Sequence, residues 1–576
     1  MWGNKEKNGG GILEQLDMVT ITRVYLALMR YIAPAMAFVL LIRCAWPLLT
    51  FRREPEIWAW LIREDGVRLP ITHWENVIGR SRRCDVVIPS PAVSRNHAVL
   101  TRYDDGSWTV SDADSQNGLT VNREPQIIRE LQEGDVIGIG GVTLTFLPAS
   151  REQEQTMASL RPRAASVWSS FGNLLWLTVF QMLCCLGFLL AGKAQMNDVI
   201  VGFGGIALLQ WLLLIFNYSI RRSAFEVETL AFFLCTMGMA VICTVAPGET
   251  IKQLIAMTMG LALYLLIGWS LRDLERAKKI RYVAAVVGMG LLIVTLLFGV
   301  EYYGAKNWLN IAGISLQPSE LTKVCFVYVG ASAMDRLMHK RNIVLFIAYT
   351  VALCGFLALM NDFGTALVFF TAFLIIAYLR SGSFGTVALA CTALGFAGVI
   401  GLKIAPHALR RLTAWRNIWA DPLGAGYQQT QSLMCVASGG LLGLGIGQGK
   451  MKKLFAADSD VVFATVSEEW GILMAVLLVL CIVVLSLFSL RCARVSRSSF
   501  YAIGTCTAAG ILLVQTIFNV LGTLDVLPLT GVTFPFLSNG GSSMLSVWGL
   551  LAFIKAADTR KSGSFAVRLR RRRFHE

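Results

Sequence analysis

The sequence predicts a polytopic all-α membrane protein of about thirteen transmembrane helices, interrupted near its start by an inserted cytoplasmic all-β sandwich. Three observations lead there. Of 576 residues, 55% are hydrophobic and only 15% charged, a balance that a soluble core of this length does not require. Stretches such as Asn173 to Ala191, Tyr282 to Val300, Phe363 to Leu379 and Trp470 to Leu490 carry no charge over roughly 17–21 residues, about the length that spans a hydrocarbon core. Between Phe51 and Pro148 the long runs give way to short alternating segments, Ile57 to Ile62, Val86 to Ile88, Ala98 to Arg102, Trp108 to Ser111, Val136 to Ile139 and Val142 to Phe146, separated by turn residues.

Taken in order, residues 1–50 form an N-terminal tail and a single transmembrane helix. Its apolar stretch, Tyr31 to Leu49, is interrupted by Pro34 and Arg43 and lacks a small-residue cleavage site, so it reads as a retained span rather than a signal peptide. Residues 57–148 are the β domain, 149–170 a polar linker, 171–222 two further transmembrane helices, 223–558 the membrane core and 559–576 a basic tail. The net charge of +15 is concentrated in the connections, at Arg52-Arg53, Arg221-Arg222, Arg272 to Arg281, His339 to Arg341, Arg491 to Arg497 and Arg568 to Arg573. These fall on one side if the spans alternate, and positive charge marks that side as cytoplasmic. The β domain and the C-terminus are then inside, and the long segment from about Ala405 to Asp460 is outside. That segment is too long for a simple connector, which makes it a functional candidate. The terminal arginine run suits an anionic lipid surface, with nucleic acid as the alternative. The 13 cysteines include no CxxC pair and lie mostly in apolar runs, so they read as core residues; no metal or cofactor is expected.

In the β domain, Gly79-Arg80-Ser81, Ser94-Arg95-Asn96-His97, and Asn117-Gly118 with Val121-Asn122 occur in order. A phosphate dianion on a loop surface calls for a guanidinium fork with hydroxyl and amide donors, and these residue types supply them. Together the motifs resemble the forkhead-associated domain from about Trp58 to Leu147. The resemblance implies that Arg80, Ser94 and Arg95 bind the phosphate of a phosphothreonine-containing protein, that Asn117 and Asn122 hold its backbone, and that His97 braces the loops. The alternative is a sandwich whose binding loops have decayed.

The membrane core carries Gly304-Ala305-Lys306-Asn307-Trp308, Gln317-Pro318-Ser319-Glu320 with Lys323, Asp362-Phe363-Gly364-Thr365-Ala366, and Trp419-Ala420-Asp421-Pro422-Leu423-Gly424-Ala425-Gly426-Tyr427-Gln428. Gln431-Ser432, Ser438-Gly439-Gly440, Asp460 to Phe463, Glu468-Glu469 and Phe534 to Ser543 follow. Asp421 precedes a proline, which biases it to extended backbone, and lies among glycines that permit tight loops. From the residues alone it is either a base or an Asp-Pro turn or cap. Glu320 and Lys323 are spaced to pair on one helix face. Asp362 and Glu468-Glu469 sit at span edges, where a charge near a helix start is the competing reading.

From about Phe225 to Lys555 these motifs resemble the SEDS family of shape, elongation, division and sporulation proteins, typified by RodA, FtsW and SpoVE, whose core has ten helices. The resemblance implies an inverting peptidoglycan glycosyltransferase that polymerises lipid II outside the cytoplasmic membrane, in complex with a class B penicillin-binding protein. It makes Asp421 the catalytic base. It places Lys306, Trp308, Gln317, Ser319, Glu320, Lys323, Asp362, Arg416, Trp419, Gln428, Gln431, Ser432, Glu468 and Ser538 in the substrate-binding cavity. Arg410, Arg411, Lys450, Lys452 and Lys453 add positive charge to the outer segment, suited to a pyrophosphate or simply to solvent. Three positions depart from the family pattern: Asn307 for Arg, Asn361 for Pro and Asn539 for Tyr. The first removes a guanidinium fork suited to phosphate. The competing functions are a lipid II flippase, in which Asp421 is dispensable, and a non-catalytic scaffold for division or sporulation.

Overall fold

The computed structural model describes residues 7–51, 56–82, 84–103, 106–160, 166–192, 195–302, 305–311, 314–333, 340–404, 409, 412–413, 415–424, 426–496 and 498–565. The chain opens with one long helix, α1 (Lys7–Thr50), which contains both Pro34 and Pro47. Arg43, the charge that interrupted the apolar run, donates from Nε to Asn173 Oδ1 at 2.7 Å on the next membrane helix. That pairing makes a cation tolerable at this depth.

Eleven strands follow: β1 (Ala59–Arg63), β2 (Arg68–Ile71), β3 (Glu75–Gly79), β4 (Val86–Val87), β5 (Ala98–Arg102), β6 (Trp108–Asp112), β7 (Leu119–Val121), β8 (Glu124–Gln126), β9 (Ile128–Leu131), β10 (Val136–Ile139) and β11 (Val142–Pro148). They form a six-stranded sheet, β2-β1-β11-β10-β7-β8, and a five-stranded sheet, β4-β3-β5-β6-β9. Alternate residues of both sheets point inward, and Leu61, Ile78, Leu100, Val110, Val121, Ile137 and Phe146 are wholly buried between them. Trp108 meets Phe146 edge to face at 5.4 Å.

The linker carries a short helix, α2 (Arg151–Leu160), held to the sandwich by Arg102 and Glu154 at 2.6 Å. The membrane helices continue as α3 (Val167–Ala191), α4 (Met196–Ser219), α5 (Glu226–Val245), α6 (Thr250–Ser270) and α7 (Leu274–Phe298). A small antiparallel sheet, β12 (Val300–Tyr302), β13 (Ala305–Ile311) and β14 (Ile314–Leu316), leads into α8 (Pro318–Ala333), α9 (Lys340–Leu359), α10 (Phe363–Ser381) and α11 (Phe384–Ile404). After the long segment come α12 (Tyr427–Gly439), α13 (Val462–Arg494), α14 (Ser499–Thr523) and α15 (Gly541–Ala556). Among the described residues nine helices are long and apolar enough to cross a membrane, and shorter apolar helices at Ile343–Leu359, Phe384–Gly395 and Gly541–Ala556 accompany them.

Several polar side chains inside this bundle find partners within it. Gln181 and Gln210 exchange amide hydrogen bonds at 2.9 and 3.1 Å, and Gln181 also donates to Thr236 Oγ1 at 2.9 Å, so α3 and α4 are fastened to α5. At one end of α5, Glu228 accepts from Lys555 Nζ at 3.0 Å and from the Tyr264 hydroxyl at 2.6 Å. Beside it Arg560 bonds Asp558 at 2.8 Å and reaches Glu226 at 3.4 Å. Burial alone would raise Asp558, but the Arg560 guanidinium overrides it and holds the carboxyl below its usual range.

The β domain packs on the same end of the bundle. Glu75 is buried and accepts from Lys278 Nζ at 3.0 Å near the start of α7, and from Ser498 Oγ at 3.2 Å and Ser499 Oγ at 2.5 Å at the start of α14. His73 Nδ1 donates to the Ser496 carbonyl at 3.0 Å.

Breaking a buried ion pair by removing one partner leaves the other charge stranded. Lys555→Met should therefore destabilise the protein by about 3–5 kcal/mol. Adding Glu228→Gln should recover much of that loss, as read from thermal unfolding in detergent.

Candidate functional site

Two clusters form at the end of the bundle opposite the β domain, each from motifs far apart in the chain. The first gathers on Asp362, the N-cap of α10, whose Oδ1 accepts from Thr365 N at 3.1 Å. Its Oδ2 accepts from Asn307 Nδ2 at 3.1 Å and Gln317 Nε2 at 3.3 Å. The helix-start reading of Asp362 is thus realised, with the second carboxylate oxygen left to collect two more motifs. Lys306 anchors β13 by donating its backbone N–H to Met360 O at 3.0 Å, and Trp308 lies opposite Val300 in the small sheet. The Gln317 backbone N–H donates to Ser542 Oγ at 2.8 Å, which brings the first turn of α15 into the cluster. One turn along α8, Glu320 Oε1 accepts from Lys323 Nζ at 2.6 Å, both side chains buried. Glu320 Oε2 and Ser319 Oγ are buried without a hydrogen-bond partner among the described residues.

The departures from the family pattern have their own bonding. Asn307 spends its amide N–H on Asp362, and Asn539 donates from its side chain to Asp458 Oδ2 at 2.8 Å. Asn361 has φ of 58°, a left-handed conformation that asparagine tolerates and proline cannot adopt.

The second cluster surrounds Asp421, which ends a single 3-10 turn, Ile418–Ala420. Its Oδ1 accepts from Gly424 N at 3.0 Å, and its carbonyl from Gly426 N at 3.1 Å. A Cβ at Gly424 would lie 2.2 Å from the Asp421 carboxylate, so a larger residue there would have to displace it. The carboxylate is exposed, flanked by Trp419 and Leu423 at 62% and 84% exposure. Gln428 donates to Phe455 O at 3.1 Å, and Gln431 is half-buried one turn on. Lys450, Lys452 and Lys453 are exposed in the same segment, and the Arg416 guanidinium lies 5.2 Å over the Trp415 ring. Arg410 and Arg411 lie outside the described residues.

Three residues expected in the cavity make bracing bonds inside the fold. Glu468 is fully buried, and its carboxylate accepts the backbone N–H groups of Lys450 and Met451 at 2.9 Å. Ser432 Oγ donates to Gln428 O at 2.7 Å within its own helix, and Ser538 Oγ bonds Ser459 O at 2.7 Å while accepting from Phe534 N. Buried backbone donors and acceptors at irregular turns need such partners. Sequence reasoning missed Gln429, Asn519 and Asp525. Asn519 donates to Asp460 O at 2.9 Å and Val532 O at 3.0 Å, and Gln429 donates to Asp525 Oδ1 at 3.1 Å. An amide inside an otherwise apolar span was the available signal for Asn519.

On the sandwich, Arg80 and Ser94 lie on loops zipped by Arg80 N to Ser94 O at 3.0 Å and Ser81 N to Arg95 O at 3.2 Å. A Cβ at Gly79 would strike Arg95 O at 2.4 Å, so the close approach requires glycine. Arg80, Arg95 and Asn117 are exposed side by side on this face, with Ser94 Oγ accepting from Gln116 N at 3.0 Å and Asn117 bonding Ala92 O at 2.7 Å. His97 is buried beneath, its Nδ1 accepting from Ser94 N at 3.1 Å and its Nε2 donating to Gly118 O at 2.9 Å. Asn122 uses both halves of its amide internally, with Asp135 and Val136 N at 2.9 Å. It braces its turn instead of facing a ligand.

A multi-pass membrane bundle with a buried polar cluster at one end and an eleven-stranded β sandwich at the other defines the class: a polytopic membrane protein carrying a β-sandwich module. The family model described as Cell cycle protein, FtsW/RodA/SpoVE, matches residues 245–563, and the forkhead-associated model matches 76–140. The chain belongs to the FtsW/RodA/SpoVE family. It is 31% identical over 327 residues to the peptidoglycan glycosyltransferase RodA of Mycobacterium tuberculosis, covering 53% of this chain and 69% of that protein. It is 34% identical over 316 residues to the probable peptidoglycan glycosyltransferase FtsW of Nitrosococcus halophilus, covering 51% and 81%. With stage V sporulation protein E of Bacillus subtilis it shares 32% identity over 277 residues, covering 45% and 73%.

Asp362→Ala removes a helix cap and leaves the Asn307 and Gln317 amides without their acceptor. It should lower stability by about 1–2 kcal/mol, read by thermal unfolding, with Asp362→Asn losing less.

Proposed function

We propose that this protein polymerises lipid II into glycan strands on the outer face of the cytoplasmic membrane, with Asp421 as the catalytic base. The observation that carries this reading is the exposed Asp421 carboxylate, framed by glycines and oriented by Gly424 N–H on the long outer segment. The acceptor sugar hydroxyl attacks the anomeric carbon of the donor from the face opposite its pyrophosphate. The new glycosidic C–O bond forms as the bond to pyrophosphate breaks, Asp421 takes the hydroxyl proton, and the configuration inverts. Arg416 and the exposed Lys450, Lys452 and Lys453 supply positive charge for the departing lipid pyrophosphate. The cluster of Lys306, Trp308, Gln317, Ser319, Glu320, Lys323 and Asp362 shapes the neighbouring cavity, and the polyprenyl tails remain in the bilayer. A class B penicillin-binding protein cross-links the product.

The basic connections orient the bundle so that the β domain and C-terminus are cytoplasmic. There Arg80, Ser94, Arg95 and Asn117 bind a phosphothreonine-containing protein, so that a membrane-associated kinase controls where the synthase works. Tethering raises the local concentration of any phosphorylated partner near the bundle.

Labelled lipid II incubated with purified protein and its cognate transpeptidase should yield glycan chains. Asp421→Asn should slow the reaction by about 100-fold or more, since general-base catalysis contributes on that order. A variant that polymerises at the wild-type rate would remove Asp421 as the base and favour lipid transport. For the reader module, Arg80→Ala should weaken binding of a phosphothreonine peptide by about 10- to 100-fold, one charge-assisted contact. Equal binding of phosphorylated and unmodified peptides by the wild type would sink that role.

A further inference from the structure

We infer that Asp525 is a positioning residue for the segment that carries Asp421, an inference that rests on the reading of Asp421 as the base. Asp525 lies in the connection between α14 and α15, just beyond the end of α14 at Thr523. Its Oδ1 accepts two hydrogen bonds, from the Arg416 backbone N–H at 3.3 Å and from Gln429 Nε2 at 3.1 Å. One donor lies upstream of Asp421 and the other downstream, so a single carboxylate oxygen closes both ends of the loop. Neighbouring bonds reinforce the tie. Trp415 Nε1 donates to Val526 O at 3.2 Å, and Gln429 Nε2 also donates to Gly522 O at 3.3 Å.

Little of the loop packs inward. Among the described residues from Trp415 to Tyr427 only Ile418 and Gly426 are buried, and they face each other inside the loop, a Cβ at Gly426 lying 2.3 Å from Ile418 O. Packing therefore supplies little resistance to displacement of the loop, and the anchors at its two ends add to it. A general base has to sit within hydrogen-bond reach of the hydroxyl it deprotonates, so a shift of about an ångström is felt in the chemical step.

The backbone at Asp525 sharpens the argument. Its φ of 56° is left-handed, where glycine is the relaxed residue and aspartate is merely tolerated. A side chain held at a position that favours none is explained by what its carboxylate does. This also separates the two roles experimentally, because Asp525→Gly relaxes the backbone while deleting the acceptor, and Asp525→Asn keeps an oxygen in the place of Oδ1.

The test compares full-length wild type, Asp421→Asn, Asp525→Gly and Asp525→Asn in nanodiscs. Each is assayed for lipid II polymerisation and for hydrogen exchange in peptides covering residues 415–429. Asp525→Gly should lower kcat by about tenfold or more with KM within about threefold of wild type, the pattern of a mispositioned catalytic group. It should also exchange faster in 415–429 while its melting temperature holds. Asp525→Asn should match wild type within about threefold in both readouts, because a neutral amide oxygen still accepts both bonds. Wild-type kcat and exchange in Asp525→Gly would overturn the inference, and so would Asp525→Asn as impaired as Asp525→Gly. If wild type does not polymerise, or Asp421→Asn keeps its rate, the base assignment falls. The exchange comparison then still decides whether Asp525 pins the segment.

Discussion

A donor or acceptor at membrane depth has no water to turn to, so each must be satisfied within the protein, and the architecture of this chain follows from that demand. Arg43 is carried by Asn173, Gln181 by Gln210 and Thr236, and Glu228 by Lys555 and Tyr264. Each pairing joins two helices, some consecutive, as α3 with α4, and some far apart in the chain, as α5 with α15. The helices preceding the family-matched region are therefore part of one bundle, fastened by the same buried polar bonds that hold the rest together.

The demand also shapes the outer end, where the backbone is irregular. The connection after α14 has no ladder of its own, and side chains complete it: Asn519 bonds Asp460 O and Val532 O, Ser538 bonds Ser459 O, and Asn539 bonds Asp458. Along this connection the two clusters of the site are joined. Asp525 holds the segment around Asp421, and Thr530 sits so close to α10 that a Cβ at Gly364, two residues after Asp362, would lie 2.5 Å from its carbonyl. The exposed segment around Asp421 is thus tied to the same connection that packs against α10.

At the other end of the bundle the reader module is seated by a buried carboxylate. Glu75 opens the strand that ends at Gly79, immediately before Arg80, and it bonds residues near the starts of both α7 and α14. The loop that carries Arg80 and the membrane helices are therefore joined through a single short strand, which gives the domain a defined seat on the bundle.

How much of this was legible beforehand follows from the range of each interaction. Helix and strand periodicity is local, so the membrane helices and the sandwich could be read from neighbouring residues. The pairing of Glu320 with Lys323 was legible for the same reason, being one helical turn apart. The bracing bonds of Glu468 and Ser538 could not be read in advance because their partners are backbone groups of irregular turns, which carry no side-chain signature. Asp525 was invisible because its meaning lies in Arg416 and Gln429, about a hundred residues away. The sequence by itself determined the elements, their order and the motifs that each of them carries. Only the tertiary structure decided which polar groups are spent on holding the fold and which are left to act, because a hydrogen bond's partner is set by three-dimensional proximity.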